Sequence, residues 1–152
     1  MQFIVDLFTN KLFLAPAAAW LTAQIIKILI DTVKSGFCKE RLYGGGGMPS
    51  SHSATVTALL IMAGIFYGGA SFEFVMALFF GIIVIYDARG VRYETQRQGK
   101  ALNNLNDERK EEGKQPLDII KFKEKMGHTI PEILIGVAIG VVVAIIVYHL
   151  PF

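Results

Sequence analysis

Cysteine and charge are the scarce components of this chain. Cys38 is the one cysteine in 152 residues, so no internal disulfide can form and the sequence reports nothing about redox compartment. Charged residues make up only 18% of the chain, against ~25% in an ordinary soluble domain. With 53% hydrophobic residues, that shortage excludes a disordered or fibrous polypeptide. Walker A loops, HExxH pairs and cysteine-rich metal spacings are also missing, which leaves a nucleotide or metal mechanism without support; no cofactor is expected.

What is present is apolar sequence in blocks. Leu12 to Ile30, Ala54 to Gly69, Phe72 to Tyr86 and Ile133 to Tyr148 are each nearly free of charge. A bilayer core takes ~20 helical residues, and tilt or thinning lets blocks of ~16 to 18 span as well. Any one block alone could be a buried soluble helix, but four in so short a chain leave too little polar surface to cover them. The sequence therefore predicts an all-α integral membrane bundle, one domain over 1–152. Spans are expected near 12–34, 53–69, 72–87 and 130–149, with a polar insertion over 88–127. The run Ala15-Pro16-Ala17-Ala18-Ala19 is small enough to suggest a signal cleavage site, but Asp6 and the lack of an early basic cluster argue against one.

Charge placement orients the bundle. Of the 15 Lys and Arg, 13 lie in Lys34 to Arg41 or Arg89 to Lys125, on one side of four spans. By the positive-inside rule that side is cytoplasmic in the cell membrane and both termini lie outside. The second basic segment reads as a solvated face with no nucleic-acid partner. Within it we expect a helix after Arg92, an exposed turn near Gly113 and a short helix over 117–126, with Leu117, Ile119 and Ile120 against the membrane face.

Polar residues inside the apolar blocks are the candidates for chemistry. Lys27, Asp31 and Lys34 share one helix face, with Gln24 one turn before. Such groups mark function, although snorkelling lysines paired with Asp31 are an alternative. Gly44 to Gly47 lead into Met48-Pro49-Ser50-Ser51-His52-Ser53, where a serine-rich helix start offers free N–H groups to an anion or is simply capped. Thr129-x-x-Glu132 with Pro131 matches a capping box, so a helix should begin near Ile130 with His128 at its mouth. Asp87 can pair with Arg89 or Arg92, cap its helix or help bind a cation. His149 reads as an interfacial surface residue, and Gly64-x-x-x-Gly68 and Gly136-x-x-x-Gly140 as close-packing faces. Two histidines at helix mouths on one side, flanked by Ser, Lys and Arg, supply a nucleophile, an acid and cations, the needs of phosphoryl transfer.

These residues carry a resemblance. Pro49-Ser50-Ser51-His52 resembles the Pro-Ser-Gly-His motif of the type 2 phosphatidic acid phosphatase superfamily, which includes vanadium haloperoxidases, and His128-x-x-x-Glu132 resembles its His-x-x-x-Asp motif. The set Gln24-x-x-Lys27, Gly46 to Ala54, Asp87-Ala88-x-Gly90-Val91-Arg92, Leu102-Asn103 and Gly127-His128-Thr129-x-x-Glu132 is similar to the superfamily's divergent branch of acid phosphatase/haloperoxidase-related membrane proteins. The resemblance implies His128 as nucleophile forming a phosphohistidine, Glu132 orienting its other ring nitrogen, His52 as acid for the leaving group, and Ser50 and Ser51 on the phosphoryl oxygens. Lys27 and Lys34 compete as the phosphate-binding cation. Arg41 has the superfamily's spacing from Lys34, although Leu42 stands where Pro is expected. Lys121-Phe122 replaces the expected Ser-Arg, and Arg92 can supply the missing guanidinium. The implied activity is metal-independent hydrolysis of a lipid or isoprenoid phosphate or pyrophosphate. The alternatives are a non-enzymatic lipid-phosphate binder or transporter, and an oxidising enzyme using vanadate. The related membrane enzymes have six spans, so four suggest a homodimer that closes the lipid-facing side.

Overall fold

The structure, a computed structural model, describes residues 1–36 and 46–151. Cys38 and Arg41 lie outside them. Six helices follow in order: α1 Gln2–Thr9, α2 Lys11–Ser35, α3 Ser51–Tyr67, α4 Phe72–Arg89, α5 Val91–Glu111 and α6 Ile130–His149. Among the described residues there is no strand, and the protein is a membrane helix bundle of about four helices. The α2, α4 and α6 segments are long and apolar enough to cross a membrane. With 17 residues, α3 is shorter, about 26 Å at 1.5 Å per residue, a length that modest thinning accommodates.

Side-chain caps start two of these helices. Asn10 accepts the Leu12 N–H at 2.9 Å to cap α2, and Ser71 accepts the Phe74 N–H at 3.1 Å to cap α4. The Gly113 turn is present, at φ +71°. Two features depart from the sequence reading. An amphipathic helix, α1, precedes the first span. No helix forms over 117–126, where the chain is irregular.

Small residues let the spans approach. Ala15, Ala19, Ala23 and Lys27 recur every four residues on α2 and are at most 2% exposed. α3 is the central helix, packed on α2, α4 and α6. Against it α6 lays Gly136 and Gly140: a methyl at 140 would stand 2.5 Å from the Ala54 carbonyl oxygen, and one at 136 would run into that of Ser50. In contrast, α4 is peripheral, with Gly81 against Val56 and Phe72, Phe79 and Ile83 exposed, as suits a helix facing lipid. At the far end, Lys11 Nζ donates to the carbonyls of Tyr148 at 3.0 Å and Leu150 at 2.6 Å, tying the start of α2 to the end of α6.

The polar insertion is built rather than merely solvated. Beyond the Gly113 turn the chain runs back along α5, gripped by side-chain amides on one helix face. Asn106 Oδ1 accepts the Leu117 N–H at 2.7 Å. Asn103 Oδ1 accepts the Phe122 N–H at 3.0 Å, while Nδ2 donates to the Phe122 carbonyl and to Glu124. Gln96 Oε1 accepts the N–H groups of both Met126 and Gly127, at 3.0 and 3.1 Å. On the same face Gly99 leaves room for Phe122, whose Cβ would lie 2.9 Å from an added methyl. These fixed partners draw backbone groups away from helical bonding, which is why 117–126 does not coil.

Candidate functional site

The site is assembled where α2, α3 and α6 meet at the end of the bundle covered by the insertion. Ser50 caps α3: its Oγ accepts the Ser53 N–H at 3.3 Å and the Ser53 hydroxyl at 3.0 Å. That cap places His52 one residue inside the helix. Across from it, Thr129 and Glu132 form the capping box of α6, with Glu132 Oε2 accepting the Thr129 N–H at 2.9 Å. His128 directly precedes that cap, and its N–H donates to the Ala88 carbonyl at 3.0 Å, which pins it to the end of α4. The Ser50 N–H donates to the Glu132 carbonyl at 3.0 Å, locking the two helix mouths together.

The two histidines, 76 positions apart in the chain, thereby come together. Their ring centroids are 5.8 Å apart, inclined at 62°. His128 is fully buried, and its Nδ1 lies 3.3 Å from Glu132 Oε2. The opposite nitrogen, Nε2, is buried without a hydrogen-bond partner, and so are His52 Nδ1 and Lys27 Nζ. With Nδ1 protonated toward the carboxylate, Nε2 carries a free lone pair, the tautomer a histidine nucleophile needs. The ionisable groups acting on His52 are Arg92, His128, Lys27 and Asp87. Those acting on Lys27 are Glu132 and Asp31. Of these buried nitrogens, Lys27 Nζ is a donor suited to an anion's oxygens and His128 Nε2 an acceptor suited to an electrophilic centre, and leaving such groups unmatched costs free energy.

The candidates named from the sequence fall into distinct places. Lys27, 2% exposed, belongs to the buried cluster, and a methyl added at Gly47, which has φ +100°, would stand 3.8 Å from its Cγ. Gln24 is half-buried one turn away. Lys34 is exposed about 10 Å further along α2, on the wall of an open cleft of about 290 Å³ that also reaches Asp31, Gly47, Gln96, Lys125 and Glu132. Ser51 is buried beside the cap. Asp87 pairs with Arg92 through Oδ2 and Nε, whereas Arg89 lies over the Tyr93 ring at 4.8 Å. Phe122, standing where the superfamily pattern has Arg, is taken up by Asn103 and Gly99. Among the described residues no three His, Cys, Asp or Glu side chains converge as metal ligands.

Sequence reasoning missed two participants. Lys125 reaches Asp31 across the cleft at 3.7 Å, and Gln96 binds the backbone just before His128. For Gln96 a signal existed: Gln96, Gly99, Asn103 and Asn106, spaced three, four and three apart, put a glycine and three amides on one helix face.

A family model described as the Divergent PAP2 family matches residues 8–143. The chain belongs to that family. A Bacillus subtilis (strain 168) protein named "Uncharacterized membrane protein YuiD" is 32% identical over 159 residues, covering 95% of this chain and 98% of the relative. No solved structure matches the chain. Membership of the divergent PAP2 family agrees with the multi-pass helical architecture and makes a phosphatase-related role the first one to consider.

Proposed function

We propose that this divergent PAP2 protein is a membrane phosphatase that hydrolyses a lipid or isoprenoid phosphate or pyrophosphate by double displacement. The observation that carries the reading is the buried, unpartnered Nε2 of His128, whose other nitrogen is held by Glu132 and whose ring meets His52. In the first step the Nε2 lone pair attacks phosphorus and the P–O bond to the lipid breaks. The leaving oxygen takes its proton from His52. In the second, neutral His52 takes a proton from water, the hydroxide oxygen attacks phosphorus, and the P–N bond breaks to release inorganic phosphate and restore His128. Lys27 balances the equatorial oxygens, with Arg92 and Ser51 as secondary contacts, while Lys34 on the cleft wall meets the charge of the arriving headgroup. Glu132 holds the His128 tautomer.

The test is phosphate release by the detergent-purified protein, in EDTA, from phosphatidate, phosphatidylglycerophosphate and polyprenyl phosphates and pyrophosphates. Release should vanish in His128→Ala and under vanadate. A second reading, a phosphate-lipid binder or transporter without chemistry, is favoured by two engaged groups: the Ser50 hydroxyl caps α3 and Arg92 is paired with Asp87. Equal silence of wild type and His128→Ala, with phosphate lipids still bound, would select it. We further propose that the site faces the cytoplasm of the cell and that two copies associate. An impermeant thiol reagent should then leave Cys38 unlabelled in intact cells, and labelling would reverse the orientation.

A further inference from the structure

Four consecutive backbone N–H groups lead through His128, and each has a fixed acceptor. Met126 and Gly127 both donate to Gln96 Oε1, His128 donates to the Ala88 carbonyl, and Thr129 donates to Glu132 Oε2. Ala88 and Glu132 belong to the spanning helices that bracket the site. Gln96 comes from outside them, from the second turn of α5. The seating is tight on both faces of the strap. A methyl at Gly127 would run into the Tyr93 backbone, and one at Gly46 would stand 2.9 Å from the Lys125 carbonyl carbon and 3.1 Å from the Met126 nitrogen. The strap therefore passes between α5 and Gly46, with Gln96 the α5 side chain that bonds its backbone next to His128.

We infer that Gln96 is a positioning residue for His128, and that the α5 insertion serves to hold the proposed nucleophile in register with His52. The inference rests on the phosphatase reading for its consequence in turnover, but not for its geometry. One oxygen accepting two successive N–H groups fixes both the height and the rotation of the Gly127 peptide. His128 is the next residue, so a slackened peptide shifts Nε2 relative to His52. Misplacement by about 1 Å costs on the order of 100-fold where reacting atoms must align. Asn103 grips the same strap four residues earlier, at Phe122, and provides the contrast between holding the strap and aiming the histidine.

The experiment compares Gln96→Leu, Gln96→Glu and Asn103→Leu in the full-length protein in detergent, with folding checked by circular dichroism. Backbone hydrogen exchange is read at 122 and 126–128, and carbethoxylation of His128 by diethylpyrocarbonate is read by mass spectrometry. Phosphate release from phosphatidate micelles is measured beside them. Gln96→Leu should speed exchange at 126–128, raise His128 modification and lower kcat about 10- to 100-fold with KM nearly unchanged. Gln96→Glu, which keeps the acceptor oxygen, should stay within about threefold of wild type. Asn103→Leu should loosen residue 122 while His128 reactivity stays near wild type. Equal effects of the two leucine variants on His128, or failure of glutamate to rescue, would reduce Gln96 to a structural prop and overturn the inference. If Gln96→Leu does not fold, Gln96→Asn, one methylene short of the strap, is read by the same criteria. Absence of turnover in wild type would defeat the phosphatase reading and leave exchange and His128 reactivity to decide the positioning role.

Discussion

Adding one methyl group at Gly140 measures how closely α6 must lie on α3. An alanine Cβ there would sit 2.5 Å from the Ala54 carbonyl oxygen and 2.8 Å from Thr57 Cβ. The carbonyl is part of the α3 backbone and cannot turn aside, so the helices must separate. At Gly64, also inside a helix, the nearest atoms are Cδ2 and Cε2 of the Phe74 ring at 3.3 Å, which can give by rotating. Both Gly→Ala changes gain the same helix preference, roughly 0.5–1 kcal/mol, so their difference isolates the clash. Overpacking of a close interface costs about 1–3 kcal/mol, and Gly140→Ala should be less stable than Gly64→Ala by that amount. At about 2–4 °C per kcal/mol for a chain of this length, the midpoints should differ by roughly 2–12 °C. The assay is thermal unfolding of both variants and wild type in one detergent, followed by circular dichroism. Midpoints within about 1 °C of each other, or Gly64→Ala the less stable, would refute the close α3–α6 approach that brings His52 to His128.

Two further substitutions separate function from stability. Lys27 is buried in a spanning helix with its Nζ unpartnered, so Lys27→Met should raise the thermal midpoint, by about 1 kcal/mol or more in stability, and vanadate, expected to raise the wild-type midpoint, should not raise that of the variant; a lower midpoint would show that the lysine holds the fold. Asp87 and Arg92 are bonded but 40% and 45% exposed, so Asp87→Asn should cost no more than about 1 kcal/mol, and a larger loss in thermal unfolding would mean that the pair anchors α5.

Much of this protein is written in contiguous stretches of its sequence. The spans follow from apolar blocks, because a segment enters a bilayer on its own hydropathy. The helix starts at Ser50 and Thr129 follow from caps that act within three or four residues. The residues around His52 and His128 are readable because their short strings resemble those of a known family. Only the tertiary structure joins the two histidines across 76 positions, selects Arg92 rather than Arg89 as the partner of Asp87, and divides Lys27 from Lys34 by burial. It also turns 117–126 from an expected helix into a strap. Gln96, Asn103 and Asn106 take backbone groups that a helix would have used for itself, and nothing within 117–126 announces those partners. Hydropathy and capping are short-range and can be read along the chain, whereas amide clamps, ring pairing and glycine contacts depend on which distant backbone arrives beside them.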